Sequence, residues 1–579
     1  VRLQETASNC AGARLAGLEI SRPEGCEHSA TLKLDPNLQC SASRSHVQIE
    51  AQAATTCRIL LGITEDSVTP CTCACNLAHS FVNRHRVSDI LRPLTLPAKA
   101  KKGYLNQLTK LFSAVVAVNR KAGHEKWKTY RDVAESYSGT KRIQALKIID
   151  DIEANGFTQR MFFDAMVKWG ERTDRPRAIV PQQFYTKGSA TTKAGQRMNG
   201  PIIVELPARL KLEETFHQIR NKNGTRKFAS GRSLRQQAHD VIKMFPPGWL
   251  CLSMDAESYD GSQGWLAVLE RMMFLKKVCE KLGYPKLDEL RRALHAQDTL
   301  NVESRGLKAN ITGNRASGTG GTSAANKAVF VSALEWAMGK SIKSGRAFIY
   351  CNGDDTLLFI HPKEKKWVRS WCKRIKRLGI ILTLDNVATT PSEVVFCRAK
   401  IVFLESGPVF VKMPADAFKT QTSIVRHFKG TEFEDYVATL ADGLGRLWHD
   451  VPVHRCIGKM FGEVKGKIKT SLLAGSGIEY QVGRTGKTPQ TTSVSMADRL
   501  AYENTFGINV ATQLQLEEAM LEIGRGMPEA IKRFVPGVRR GPQPKGAFVD
   551  HSLDVDRDVK DTRAKLEELQ HVQFVSPTR

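Results

Sequence analysis

An α/β fold flanked by helical regions is what this 579-residue sequence predicts. Three observations carry the prediction. Strand-length apolar runs alternate with longer helical periods from Trp249 to about Lys412; helical periods dominate up to about Gly170; and they return from Pro414 to about Gly475. A chain of this length exceeds one ordinary core, so several units or one large multi-lobed body are expected. No internal repeat with a period of about 20 to 50 residues is visible.

Lys and Arg total 86 against 59 Asp and Glu, a formal net charge of +27. That balance favours a polyanionic partner or an anionic membrane surface without choosing between them. No apolar run reaches the roughly 18 residues of a membrane-spanning helix, and "LFSAVVAV" after Lys110 is too short. The chain opens on Val1, without a charged start followed by an apolar core, and reads as a piece of a longer translation product. Seven of thirteen Cys lie before residue 76. The others, Cys351 and Cys397 among them, are scattered singly in the manner of reduced thiols used as small hydrophobes.

In chain order, residues 1–92 are rich in Ser, Ala, Thr and Cys, lack a long period and are expected to form an appendage of unassigned role. Cys71, Cys73, Cys75 and His79 invite a zinc site. Structural zinc usually uses Cys pairs about two to four residues apart with a second pair well downstream, so ordinary thiols are the favoured reading. Pro93 and Pro97 mark a boundary, and Lys99, Lys101 and Lys102 then open an apolar helical pattern. Such a charge run is more often a solvated face than a nucleic-acid contact. Past Gly170 comes "ERTDRPRAIVPQQF", where Arg172, Arg175 and Arg177, with Lys168 just before, crowd a loop stiffened by Pro176 and Pro181. Guanidinium forks suit a triphosphate; a solvated arginine loop is the other reading.

Trp249 to Met254 reads as a short buried strand ending on Asp255, followed by a turn holding Asp260 and a helix with apolar Leu266, Leu269 and Met273. Farther on, "IYCNGDDTLLF" sets Asp354 beside Asp355 within an apolar run. Burying unpaired charge there would be costly, but "NGDD" between two β-prone arms is a hairpin turn signal that puts both acids at a solvent-side tip. If the strands are neighbours, Asp255 and Asp354 converge, with Asp355 shaping the local charge. Carboxylate oxygens with waters are what Mg²⁺ prefers, and two such ions about 4 Å apart serve phosphoryl transfer. Between these acids, Gly and small residues from Ser317 to Ser323 form a loop that lets backbone approach a ligand closely. It runs into a long apolar helix starting near Thr322, with Asn326 one turn in.

"DAESYD", "SGTGGTSAAN" and "GDD" resemble polymerase motifs A, B and C in the order and spacing of viral RNA-dependent RNA polymerases. "RPRAIVPQ" resembles motif F, and "EVVFCRAK" motif E, of the tombusvirus-like group of positive-strand RNA viruses. The resemblance covers about Lys168 to Pro414, with nothing before Arg92 or after Gly475 contributing, and "GTGG" is denser in glycine than the motif B pattern.

The resemblance implies a right hand. Fingers would span 93–248, and the palm, an antiparallel sheet with helices, 249–414 with motifs A to E and an inserted fingers segment near 275–305. A helical thumb would span 415–475, and a thumb extension with a flexible tail 476–579. Asp255, Asp354 and Asp355 would be the catalytic and metal-binding acids, for two Mg²⁺ ions with Mn²⁺ as a substitute. Asp260, Ser317, Gly318, Thr322 and Asn326 would hold the nucleotide and its ribose, and Lys168, Arg172, Arg175 and Arg177 its phosphates. Phe396, Cys397 and Arg398 would support the 3′ end of the growing strand, although buried packing of Phe396 and Cys397 fits equally. The lysine expected of motif D has no clear candidate: Lys373 and Lys376 fall on a predicted helix. Implied partners are a single-stranded RNA template, RNA product, nucleoside triphosphates and a viral membrane-anchoring replication protein, in membrane-associated complexes of the host cytoplasm.

Two rival functions share parts of this pattern. A reverse transcriptase also uses paired aspartates in a hairpin, but the position five residues past its motif A acid usually carries a bulky ring that excludes the 2′-OH; here it is Asp260. A noncatalytic basic RNA-binding protein needs no acids at two strand ends, and acids in a basic cleft oppose nucleic acid unless metals compensate them.

Overall fold

The computed structural model describes residues 30–34 and 97–533, apart from 124–125, 138, 158–162, 168–183, 189–199, 257–258, 305–306, 313–314, 316–320, 422–431, 462–463, 474–477 and 483–492. Helices and largely antiparallel sheets are mixed along the chain. The strands are β1 (Ala30–Leu34), β2 (Phe163–Val167), β3 (Phe184–Gly188), β4 (Leu250–Ala256), β5 (Thr299–Ser304), β6 (Leu307–Thr312), β7 (Ala347–Asn352), β8 (Asp355–Ile360), β9 (Leu382–Ala388), β10 (Val395–Phe396), β11 (Ala399–Leu404) and β12 (Gly407–Lys412). They form sheets ordered β7-β8-β4-β9, β10-β11-β12 and β1-β6-β5-β2-β3. The principal helices are α1 (Ala98–Lys121), α2 (Gly200–Phe216), α3 (Leu234–Met244), α4 (Trp265–Phe274), α5 (Thr322–Lys343), α6 (Val368–Lys376), α7 (Glu432–Trp448), α8 (Met496–Phe506) and α9 (Val510–Arg533).

The four-stranded sheet is antiparallel throughout and positions the site. Its strands β4, β7 and β8 are apolar nearly residue by residue because both faces are covered. On one face Leu252, Met254, Ile349, Leu358 and Ile360 pack with Val329 and Phe330 of α5 and Trp371 and Ile375 of α6. On the other, Cys251, Phe348, Tyr350, Leu357 and Phe359 meet Ala238 and Val241 of α3 and Phe396, Ile401 and Phe410 of the three-stranded sheet. The buried stripe of α1, including Tyr104, Leu108 and Phe112, joins the α5 core. Lys99, Lys101 and Lys102 are exposed, as both readings of that charge run require.

A second core gathers Tyr436, Leu440 and Leu444 of α7, Tyr502 of α8 and Leu516 and Met520 of α9 around Val402, Val409 and Val411. Chain beyond Gly475 therefore helps build this helical body.

Two expectations need correction. The helical reading up to about Gly170 fails at Phe163–Val167, which is β2, antiparallel to β3 and parallel to β5. A five-residue stretch such as FDAMV is too short to show a period, and its partners decide. Within the stretch read as an appendage, Ala30–Leu34 pairs antiparallel with β6, from Ala30↔Ile311 to Leu34↔Leu307.

Candidate active site

Asn352 pairs with Asp355, leaving Gly353 and Asp354 as a two-residue hairpin loop. Gly353 has φ 81°, the left-handed first position that a type II′ turn demands and that glycine adopts without a Cβ penalty. Both acids are half-buried at the end of the apolar arms. Beside them β4 runs antiparallel to β8, with Met254 opposite Thr356. One further step along that register brings Asp255 opposite Asp355. The sequence predicts that Asp255 and Asp354 converge; the register sets Asp355 directly opposite Asp255, and Asp354, next to it in the turn, also feels the Asp255 charge.

A fourth carboxylate arrives from β9. Ser253 pairs with Asn386 but Met254 with Leu384, so Asp385 is an extra residue in a β-bulge, the kind of irregularity that re-aims a side chain. Sequence reasoning missed it, because an isolated Asp in "LTLDNVA" looks like any exposed strand residue.

Burial and crowding oppose ionisation of these acids. Asp354 is pushed up to about 7, first by burial, then by Asp355, Asp255 and Asp260. Burial and then the Asp255 charge push Asp355 up to about 6, against its hydrogen bond with Cys397 and the Arg398 charge. Asp255 is also raised, by burial and then Asp385, although its Oδ1 accepts from the Ala256 N–H at 2.8 Å. Among the described residues no three His, Cys, Asp or Glu side chains stand as a ready metal-holding group. The donor chemistry nevertheless fits a divalent cation: hard oxygen ligands whose mutual repulsion a positive ion would relieve.

Asp260 lies in the single-turn helix Tyr259–Ser262 and is buried. Asn326, one turn into α5, donates from Nδ2 to Asp260 Oδ1 at 2.7 Å. Its own Oδ1 accepts from Gln263 Nε2 at 2.7 Å, and the Tyr259 hydroxyl donates to its main-chain carbonyl at 2.8 Å. The structure thus brings Asp260 and Asn326 together and adds Gln263, whose one sequence signal is a polar residue just before an apolar helix. Thr322 opens α5.

The glycine before it has a steric reason. A Cβ on Gly321 would fall against Glu205 Oε1 and 2.5 Å from Arg209 Nε. These belong to a buried ion network: Arg209 donates to Glu205 at 2.7 Å and to Glu270 at 2.5 Å, and Arg315 to Glu270 at 3.2 Å. Burial opposes Glu270's ionisation, but Arg209 and Arg315 overcome it and hold the carboxyl below its ordinary value.

Phe396 is core, 5.5 Å from the Tyr350 ring and 5.9 Å from Phe410, which realises the packing alternative for that residue. Cys397 and Arg398 form the turn between Phe396 and its partner Ala399, with φ of 50° and 57°. The exposed Arg398 is 3.7 Å from Asp416. Lys373 and Lys376 are exposed on α6. Lys168, Arg172, Arg175, Arg177, Ser317, Gly318 and the Cys71–His79 cluster lie outside the described residues.

Crowded carboxylates at a hairpin turn, near a buried Asp–Asn pair, fit the polymerase class of protein. The chain is a member of the viral RNA-dependent RNA polymerase family, whose profile matches residues 44–524. Polymerases of this kind generally act with divalent metals. The chain is 24% identical over 406 residues to the putative RNA-directed RNA polymerase of Barley yellow dwarf virus (isolate MAV), covering 66% of this chain and 44% of that protein. It is 26% identical over 410 residues to the RNA-directed RNA polymerase of Red clover necrotic mosaic virus, covering 68% and 51%. It thus spans about half the length of the curated relatives it matches. The family match also corrects the extent read from motifs: it begins before Arg92 and continues past Gly475.

Proposed function

We propose that this chain is an RNA-directed RNA polymerase replicating a positive-strand viral genome: it adds nucleoside monophosphates from triphosphates to an RNA 3′ end, on a single-stranded RNA template, and releases pyrophosphate. The carrying observation is the register that brings Asp255 beside Asp355 and the Asp354 turn in a chain of this family. Asp255, Asp354 and Asp355 would hold two Mg²⁺ ions, for which Mn²⁺ can substitute. Such ions, when bound, lower the pKa of the attacking 3′-OH and stabilise charge on the leaving pyrophosphate.

The chain's own residues supply position. The β7–β8 hairpin holds the acids on rigid apolar arms, and the Ala256 N–H steadies Asp255 through Oδ1, leaving Oδ2 outside that bond. Asp260 and Asn326 offer an acceptor and a donor to the ribose 2′-OH, which deoxyribose lacks. Ser317, Gly318 and Thr322 would line the same nucleotide pocket, and Lys168, Arg172, Arg175 and Arg177 would neutralise the triphosphate. Cys397 and Arg398 would support the 3′ end from their turn, with Phe396 packed behind.

In this reading residues 93–248 are fingers, 249–414 palm, and 415 onward thumb and its extension. No helix among the described residues is long and apolar enough to cross a membrane. A viral membrane-anchoring protein would bring the chain to replication complexes in the host cytoplasm.

Purified protein with RNA template, labelled ribonucleotides and Mg²⁺ is expected to make template-length RNA, and Asp354→Ala to lose synthesis while keeping RNA binding. Undiminished synthesis by Asp354→Ala, or no synthesis by the unaltered chain with either Mg²⁺ or Mn²⁺, would overturn the proposal. A preference for deoxynucleotides would make the chain a reverse transcriptase.

A further inference from the structure

Gln263 is neither a charged residue nor part of the glycine-rich loop, yet it is only 1% exposed and both ends of its amide are engaged. Oε1 accepts from Arg315 Nε at 2.7 Å, and Nε2 donates to Asn326 Oδ1 at 2.7 Å. The sense of this chain of bonds is forced. A guanidinium only donates, so Gln263 must turn its oxygen to Arg315 and its NH₂ to Asn326. Asn326 must then present Oδ1 to Gln263, which leaves Nδ2 facing Asp260. Asp260 Oδ1 accepts from that Nδ2 at 2.7 Å. The two ends therefore agree on one orientation.

Arg315 cannot easily relax that orientation. It is 1% exposed and bonded to Glu270, which also accepts from Arg209 on α2. A buried charge network thus dictates which way the Asn326 amide points. In this orientation Nδ2 carries a second hydrogen that no described residue accepts. With the amide reversed, Oδ1 would face the Asp260 carboxylate and the donor would be spent on Gln263.

We propose that Gln263 is a positioning residue: anchored by Arg315, it holds the Asn326 amide with its donor toward the nucleotide, and so sets the preference for ribose over deoxyribose. This rests on the reading of Asp260 and Asn326 as ribose contacts. Gln263 itself touches no substrate and acts through Asn326.

Gln263→Glu is the sharpest test, because it keeps the shape and still accepts from Arg315 but cannot donate to Asn326 Oδ1. The measured quantity is the ratio of kcat/KM for a ribonucleotide over that for its deoxynucleotide, with Tm recorded alongside. The ratio is expected to fall about tenfold or more. Asn326→Ala is expected to lower it too, and adding Gln263→Glu to Asn326→Ala should change it no further. An unchanged ratio in folded Gln263→Glu, or equal losses for both nucleotides, would overturn the positioning role, as would a further drop in the double variant. Should Gln263→Glu not fold, Gln263→Met is held to the same criteria. Asn326→Ala with an unaltered ratio would instead overturn the ribose reading, so the two failures are distinguishable.

Discussion

Asn352 donates its side-chain amide to Cys397 Sγ at 3.4 Å. This bond joins two hairpin tips. Asn352 closes the β7–β8 ladder opposite Asp355, and Cys397 begins the turn between β10 and β11. Cys397 and Arg398 both hold positive φ, a region where non-glycine residues are uncommon. Contacts made by the turn must therefore select it, and the bonds from Cys397 to Asn352 and Asp355 are two of them.

Removing this brace should loosen the acids without unfolding the sheet. Asn352→Ala is expected to lower the rate of RNA elongation by about tenfold, as small misplacements of reacting groups do, while far-UV circular dichroism stays unchanged. An unaltered elongation rate would separate the hairpin contact from catalysis.

The raised carboxyls predict a linked pH and metal response. Asp354 and Asp355 titrate higher in the folded chain than in the unfolded one, so between the two values the folded state binds more protons. Their contribution to stability therefore declines as pH rises from about 4 to about 7. Asp354→Asn should abolish most of that slope. In metal-free melts its Tm advantage over the parent chain should grow from about pH 5 to about pH 8, and Mg²⁺ should raise the parent's Tm mainly at the higher pH. Equal slopes for the two proteins would contradict the electrostatic description of the turn.

His454 predicts the opposite sign elsewhere. It is fully buried, donates from Nε2 to the Lys412 carbonyl at 2.8 Å, and lies with Nδ1 3.3 Å from the Tyr502 hydroxyl. Burial pushes its pKa down to about 4 from an ordinary 6.5. The folded state then rejects a proton that the unfolded chain accepts, so stability present above about pH 6.5 is lost as pH falls toward 4, by up to about 3 kcal/mol. Denaturant titrations across that range should show the loss in the parent chain and a much flatter profile in His454→Gln.

Gly321 predicts a steric effect at a distance from the acids. Gly321→Ala places a methyl against the Glu205–Arg209 pair, and displacing a buried ion pair or overpacking its site costs about 1–3 kcal/mol or more. Urea denaturation should show that loss. A variant as stable as the parent would mean the α5 start moves freely relative to α2.

Much of this site was legible locally. Apolar patterning located the strand that ends on Asp255, turn chemistry located the hairpin bearing Asp354 and Asp355, and the glycine-rich approach to an apolar run located the start of α5 near Thr322. Those signals act over a few residues, so the sequence by itself determined them, and the ordered motifs pointed to the polymerase family. Only the tertiary structure decided which strand lies beside β4, and hence that Asp355 rather than Asp354 stands opposite Asp255. It also decided that a bulge adds Asp385, that Ala30–Leu34 and Phe163–Val167 are strands, and that Gln263 and Arg315 orient Asn326. Each of these depends on register or buried hydrogen bonds between segments distant in sequence, where the partner, rather than the local pattern, determines what a residue does.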